Sequence, residues 1–466
     1  MKSLFIILLS CLHLSAKNPN IVFILADDLG YGDLGANNPE SKIATPHLDK
    51  LAASGVRFTD AHAGGNYCVP SRYALLTGRF SVRAPTLDVN SGPIIGENLP
   101  TIATLLRDNG YQTAMVGKWH QGFVNQPKGS KTQFDYSQPL RGGPLDRGFD
   151  SYFGIHTSLD IPPYFYIRDR KPTQPPTDTV EARDSVSEGE GWNKIQGSFW
   201  RKGPIAPDYK HREVTPRFIS EAVDVLATYS SGKKEKPLFL YLALPSPHTP
   251  WLPLDEFRGK SKVGMYGDFV MQVDAAIGQV LSSLDSTGLA EDTLVIFSSD
   301  NGPVWYDKDR TKFNHDSTGG LRGMKASSWE GAHRMPFVVR WPGKTKAGSS
   351  CAQTVTFSDF FATFAELLGS TSKTEDSVSF LPWILDTNKT AAPRPPIAHD
   401  ERSIRDGAWK LILPHKKGTL GGGPSTNLPG QLYNLREDLA ERNNLYEMHP
   451  ELTQKMEAAL KLILAK

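Results

Sequence analysis

The residues with chemistry to offer sit in a few short stretches. Asp27-Asp28 follows the apolar run NIVFILA (20–26), and Asp300-Asn301 follows TLVIFSS (293–299). YQTAMV (111–116) leads into GKWH, with Lys118 and His120, and PLFLYLAL (237–244) leads into Pro-Ser-Pro-His248. A fifth stretch, NYCVPSRYALLTGR (66–79), sets Cys68 just ahead of Pro70, Ser71 and Arg72. Three carboxylates and an amide oxygen gathered at one edge repel one another unless a cation lies among them. An all-oxygen set of this kind suits Ca²⁺ or Mg²⁺ rather than zinc. Either acidic pair alone would make an ordinary turn. Both at strand ends, with histidines in the same pattern, point to a metal site. Lys118 and His120 taken alone would be solvated loop residues, whereas His248, between Pro247 and Pro250, is held in a rigid turn.

Cys68 has several possible fates. Pro70 suits the first turn of a helix, so the spacing predicts a helix from Ser71 to Thr77, closed by Gly78. The thiol then stands at a helix N-terminus, where partial positive charge favours an anion, with Arg72 adding fixed charge one turn on. Burial as a structural residue is the commonest fate of a lone cysteine. A disulfide to Cys351 stays open, and a metal-ligand role fits poorly with acids that prefer hard cations. The residues lead as far as an activated nucleophile at an anion-binding site.

The elements that must hold these groups are short apolar strands alternating with amphipathic helices. Helices are expected over 45–54, 100–109 and 266–286, the first two closed by Gly55 and Gly110. That alternation predicts an α/β fold, with a mainly parallel sheet covered by helices on both faces. In such sheets ligands bind beyond the carboxyl ends of the strands, so four strands ending in acids, a lysine or histidines should converge on one site. From about 129 to 211 the pattern breaks into Pro-, Gly- and aromatic-rich sequence, an insertion whose aromatics, from Pro162 to Trp200, could line a substrate groove. Beyond the proline-rich AAPRPPI, IRDGAWKLIL and QLYNL read as antiparallel strands. Residues 450–466 read as a terminal helix with Leu452, Met456, Leu460 and Ile463 on one face.

The 466 residues carry 52 basic and 50 acidic side chains, so no global field points to nucleic acid. Three cysteines without a CxxC spacing give no disulfide framework and no zinc site. MKSLFIILLSCLHLSAK fits a signal peptide over 1–16, implying export to the periplasm or beyond; a lipoprotein box at Cys11 is a minor reading. That run is too short to span a bilayer, and no later segment is long and apolar enough.

Cys68-Val-Pro-Ser-Arg72, followed by Leu75, Thr77, Gly78 and Arg79, matches the pattern C-x-P-S-R-x-x-L-x-T-G-R without a gap. With ADDLGYGDLG (26–35), GKWH, SDNG (299–302) and GGLRGMKASSWEGAHRMPFVVRWPG (319–343), the chain resembles a type I sulfatase of the alkaline phosphatase superfamily. The resemblance covers nearly all of the chain after the signal peptide. It implies a large mixed, mainly parallel sheet, and the proline-rich boundary divides the chain into a catalytic domain over 17–385 and a smaller α+β unit over 386–466.

It also implies that a maturation enzyme oxidises Cys68 to Cα-formylglycine. One oxygen of the hydrated aldehyde would attack sulfur and expel the alcohol; deprotonation of the other would release sulfate and restore the aldehyde. By the same resemblance Asp27, Asp28, Asp300, Asn301 and the group made from Cys68 hold one Ca²⁺, with Mg²⁺ the lesser choice. Arg72 orients the formylglycine, His120 partners its hydroxyl, and His248 protonates the leaving oxygen. Lys118 and Lys325 grip the sulfate, and Ser158 aligns more loosely as a sulfate contact. Where the family often has GKWHLG this chain has Gln121, which bears on packing and not on a catalytic position. The implied substrate is a sulfated glycan, with a hexose or hexosamine 6-sulfate in view; a simple arylsulfatase differs chiefly in the aromatic insertion. The competing expectations are a phosphomonoester or phosphonate hydrolase of the same superfamily, and a glycan-binding relative without catalysis.

Overall fold

A computed structural model of the chain describes residues 18–124, 134–186, 189, 191–390, 392–417 and 426–465. The expected signal peptide lies outside these residues. Ten strands make the main sheet: β1 (Asn20–Asp27), β2 (Val56–Phe58), β3 (Gln112–Lys118), β4 (Ser151–Ile155), β5 (Ile167–Arg168), β6 (Lys171–Pro172), β7 (Leu238–Pro247), β8 (Thr293–Ser299), β9 (Phe337–Arg340) and β10 (Ser349–Cys351). Their order is β10-β2-β9-β8-β1-β7-β3-β4-β5-β6. The five central strands, β8-β1-β7-β3-β4, are parallel, and antiparallel pairing starts at β9 on one side and β5 on the other.

Every residue of β1 and β7 is buried, as near-continuous apolar runs require when both faces are covered. The register aligns Phe23, Tyr241, Met115 and Tyr152 across four strands, and beside them Ile24, Leu242, Val116 and Phe153. Because side chains alternate, these two rows face opposite sides. Phe23 meets Phe360 of helix Asp359–Leu367 at 4.8 Å between ring centroids, edge to face. Phe153 meets Phe218 of helix Val214–Ser231 at 6.0 Å. Helices therefore cover both faces, and Gly264–Ser286 packs beside Val214–Ser231.

The same register brings the strand ends level. Ala26 pairs with Ser299 and Gly117 with Ala243, and past an irregularity after Leu25 and Ala243 Asp27 pairs with Pro247, so the residues just beyond share one edge. Gly117 is needed there: φ is +124°, and a Cβ would stand 1.9 Å from the Ala243 carbonyl oxygen.

A separate antiparallel sheet runs Ile397–Ala398, Ser403–Asp406, Trp409–Ile412, Gln431–Asn434. The terminal helix Pro450–Leu464 buries Met456 and Leu460 against it, with Leu452 and Ile463 partly covered. Two expectations need correction. The helix predicted from Ser71 starts at Cys68 and ends at Thr77, so Pro70 is its third residue, where a missing N–H still costs no helical bond. The aromatics of the insertion are mostly core: Tyr164, Phe165 and Tyr166 are buried, and Tyr164 and Tyr166 pack around Tyr209.

Candidate active site

Asp27 keeps the alternation of β1 and faces the helix Cys68–Thr77, where it accepts a hydrogen bond from Arg72 Nη2 at 3.2 Å. Strand geometry would send Asp28 to the other face. Its backbone instead adopts φ 65°, a left-handed turn that brings it beside Asp27. Asp300 donates its amide to Ala26 O at 3.0 Å, so β1 and β8 hold the two acidic pairs side by side. Arg72 is fully buried and donates to Asp300 Oδ2 (2.9 Å) and to Lys118 O (2.9 Å) as well as to Asp27. Lys118 Nζ donates to Asp27 Oδ2; Lys325 Nζ donates to both Asp28 oxygens at 2.7 and 3.0 Å. His248 Nε2 lies 3.7 Å from Asp28 Oδ2, and its Nδ1 meets Thr249 O at 2.7 Å.

Above this layer is a cavity of about 190 Å³. Cys68, Asp28, His120, His248, Lys325 and Ser158 reach its wall, while Asp27, Asp300, Asn301, Arg72 and Lys118 lie beneath, wholly buried. Every site residue expected from sequence is therefore in one assembly, including Ser158, whose Oγ is buried without a hydrogen-bond partner. Arg72, expected beside the thiol, gives all its hydrogen bonds to the acids and to the Lys118 carbonyl. Phe199 comes from the insertion whose aromatics were expected to line a groove, whereas sequence reasoning missed other parts of the wall, among them Asp160, Ile161, Arg201 and Trp251. Asp160 lies two residues past Ser158 and could have been found that way; Arg201 carried no signal.

The charges govern one another. Burial alone would raise the Asp27 carboxyl, but Lys118, His248, Arg72 and Lys325 outweigh it and hold Asp27 well below the usual carboxylate range. Asp300 is pushed up to about 6 by burial and by Asp27, against Arg72 and Lys118. Burial, with Lys118 and Arg72 close by, holds the His120 imidazole well below its ordinary value and therefore neutral near pH 7. Burial also pushes the Cys68 thiol up, in spite of Lys118 and Lys325. The lysines beside the thiol therefore do not make it a thiolate against that desolvation.

Two oxygens test the expectation of a cation. Asp27 Oδ1 and Asn301 Oδ1 are buried with no hydrogen-bond partner, beside Asp28 and Asp300. Orphaned acceptors in a carboxylate-rich set fit a hard cation. Cys68 and Cys351 are both free and buried, so the two are not bridged.

The sulfatase family model matches residues 19–370. An N-acetylgalactosamine-6-O-sulfatase of Bacteroides thetaiotaomicron is 32% identical, over 96% of this chain and 94% of its own length. Arylsulfatase A of Homo sapiens is 33% identical, over 80% of this chain and 69% of its own. A solved sulfatase structure from work on glycosaminoglycan metabolism by Bacteroides thetaiotaomicron superposes with a TM-score of 0.82 at 29% identity, covering 97% of this chain and all of that one. With the parallel sheet, the strand-end acids and Cys68 in one assembly, the chain belongs to the sulfatase family, enzymes that hydrolyse sulfate esters.

Proposed function

We propose that this sulfatase removes O-sulfate from sulfated glycans, using a Cα-formylglycine made from Cys68 by a maturation enzyme and one Ca²⁺ held by Asp27, Asp28, Asp300, Asn301 and residue 68. The observation that carries the reading is the pair of orphaned oxygens, Asp27 Oδ1 and Asn301 Oδ1, directly below the wall that bears Cys68. When bound, the cation supplies charge that polarises a sulfate oxygen, and the formylglycine supplies a hydrated aldehyde as nucleophile.

The chain's own groups do the rest. Arg72 ties Asp27 and Asp300 to the Lys118 backbone and so fixes the acids relative to the helix that starts at residue 68. Lys118 and Lys325 lie against Asp27 and Asp28, and with those carboxylates engaged in holding a cation both ammonium groups would be free to hold sulfate oxygens. His120 is neutral, with Nδ1 buried and unpartnered, so it can take the proton from the nucleophile's hydroxyl. His248, anchored through Nδ1 to Thr249 O, keeps Nε2 for protonating the leaving oxygen. Ser158 offers its free hydroxyl to the sulfate.

The N-acetylgalactosamine-6-sulfatase relatives support a hexosamine 6-sulfate as first substrate to try. Export to the periplasm or beyond rests on the sequence of residues 1–16. The division at 385/386 is supported by the separate core beneath the antiparallel sheet. The test pairs two measurements on protein made with a maturation enzyme: mass spectrometry of the peptide holding residue 68, and sulfate release from N-acetylgalactosamine 6-sulfate and 4-nitrophenyl sulfate beside the matching phosphates. An aldehyde at 68 with preference for sulfate is expected. Unmodified cysteine in active protein, or preference for phosphate, would overturn the reading.

A further inference from the structure

Asp160 is the one carboxylate of the cavity wall outside the acid layer beneath His248 and Lys325. It is buried, at 5% exposure, and held from several sides. Its carbonyl accepts from Tyr164 Oη at 3.0 Å and from Arg201 N at 3.1 Å, and its Oδ2 accepts from Arg201 Nη1. Arg201 is itself steadied over the Phe199 ring, 5.2 Å from its centroid. These contacts leave Oδ1 fixed in place, buried and without a hydrogen-bond partner. Oδ1 stands 3.9 Å from His248 Nδ1, outside hydrogen-bond range, and that nitrogen is already engaged by Thr249 O at 2.7 Å. Asp160 is therefore poorly placed to orient His248. Asp160 lines the cavity wall, and an immobilised carboxylate oxygen there can only accept, so leaving it unpaired is costly.

We propose that Asp160 Oδ1 is a specificity determinant: it accepts a hydrogen bond from a free sugar hydroxyl on a carbon close to the sulfated one. The inference rests on the proposed glycan function, because it places the alcohol portion of the substrate beside His248. It names the chemistry of that portion. A hydroxyl donor satisfies Oδ1, whereas a second sulfate or a carboxylate in the same place faces a fixed negative charge and is rejected. The enzyme is then selective for residues whose neighbouring hydroxyl is unsulfated. Arg201, half exposed at the cavity mouth, holds the carboxylate and does not compete for Oδ1.

The test uses the matured full-length enzyme. The probes are 6-, 4- and 3-O-sulfated N-acetylgalactosamine, each beside the analogue deoxygenated at a neighbouring ring position; sulfate release gives kcat/KM. For one such pair the wild-type enzyme should favour the hydroxylated sugar by roughly 10- to 100-fold. In Asp160→Ala and Asp160→Asn that preference should fall below about threefold. The disulfated analogue should gain relative to the monosulfated one in both variants. Asp160→Asn keeps the volume should Asp160→Ala fail to fold, and thermal melts identify that case. A preference that survives in the folded variants, or a wild-type enzyme indifferent to every hydroxyl, overturns the inference alone. Hydrolysis of 4-nitrophenyl sulfate but of no sulfated sugar overturns the glycan reading with it.

Discussion

Two buried clusters of charge lie on either side of residues 325 to 330, and they are built to opposite ends. The first is the acid layer under Cys68. The second lies where the antiparallel sheet meets the segments around residues 60 and 330, and holds Asp60, His62, Glu330, His333, His399, Arg405, Lys410 and Glu441. Both are rich in metal-ligating side chains. In the second, Asp60 takes two hydrogen bonds from Arg405 at 2.7 Å, and Lys410 Nζ binds Glu330 and Glu441 at 3.0 and 2.9 Å. His62 and His333 face each other Nδ1 to Nδ1 at 3.0 Å, while Arg405 and Lys410 meet their Nε2 atoms at 2.7 and 3.1 Å. His333 and His399 stack at 3.9 Å, tilted by only 17°. In-plane lone pairs of stacked rings cannot meet at one ion, so three neighbouring histidines do not make a metal site. The nitrogens this cluster leaves unbonded, Nδ1 and Nε2 of His399, lie in the plane of a stacked ring, whereas the acid layer keeps Asp27 Oδ1 and Asn301 Oδ1 unpartnered beneath the cavity. The contrast teaches that ligand type and proximity do not define a site; the direction of the free lone pairs does.

Breaking either cluster should show the difference, and the largest effect belongs to the first. Cys68→Ala should lower sulfate-ester turnover by at least about 10⁴-fold, with little change in melting temperature, since the side chain anchors no hydrogen-bond network here. Retained turnover would remove the proposed nucleophile. Next comes the cation. Chelation should cost activity by at least about 100-fold, with recovery on adding Ca²⁺. It should also lower stability by about 2.7 kcal/mol relative to Ca²⁺ at 100 times its Kd. Calorimetry with and without chelator reads both, and a chelator-insensitive enzyme would contradict the assignment of the acid layer.

In the second cluster, Lys410→Met should leave Glu330 and Glu441 without their shared cation and destabilise by about 3 to 5 kcal/mol. The kcat/KM of the folded fraction should stay within about threefold of wild type. A catalytic loss without a stability loss would show that this cluster belongs to the site after all.

The smallest effect is on pH dependence. Burial holds His62 below its ordinary value, and burial with the Lys410 cation holds His333 well below it. Burial together with His333 does the same for His399. A histidine depressed in the folded state binds its proton more readily unfolded, so stability is full above about 6.5 and falls as pH drops toward the folded value. Each such ring removes up to about 1.4 kcal/mol per pH unit in that window. His399→Phe keeps the stack on His333 and removes one titrating group, so its melting temperature should fall less between pH 7 and 5.5 than that of wild type. An equal fall would show that His399 titrates normally.

Much of the active site was legible because each part sits at the end of a recognisable strand or in a gapless pattern. NIVFILA, YQTAMV, PLFLYLAL and TLVIFSS each became a buried parallel strand, and a parallel register forces their ends to one edge. The wall was less legible. Asp160 and Arg201 lie in sequence without period, and Tyr164 to Tyr166 have the composition of a sugar groove yet pack inward, because aromatic composition does not say which face is buried. The second cluster was invisible: its members, spread from residue 60 to 441, are brought together only when the antiparallel sheet docks.

By itself, then, the sequence determined which groups would do the chemistry and that strand ends would gather them, because local pattern and parallel pairing suffice for both. Only the tertiary structure decided the protonation of those groups and the direction of their free atoms. Desolvation raised the thiol of Cys68 against the lysines beside it, the left-handed turn at Asp28 set two acids side by side, and Arg201 holds Oδ2 of Asp160 while Oδ1 stays unpaired. Each depends on what lies within a few ångströms in space, from segments that the chain keeps tens to hundreds of residues apart.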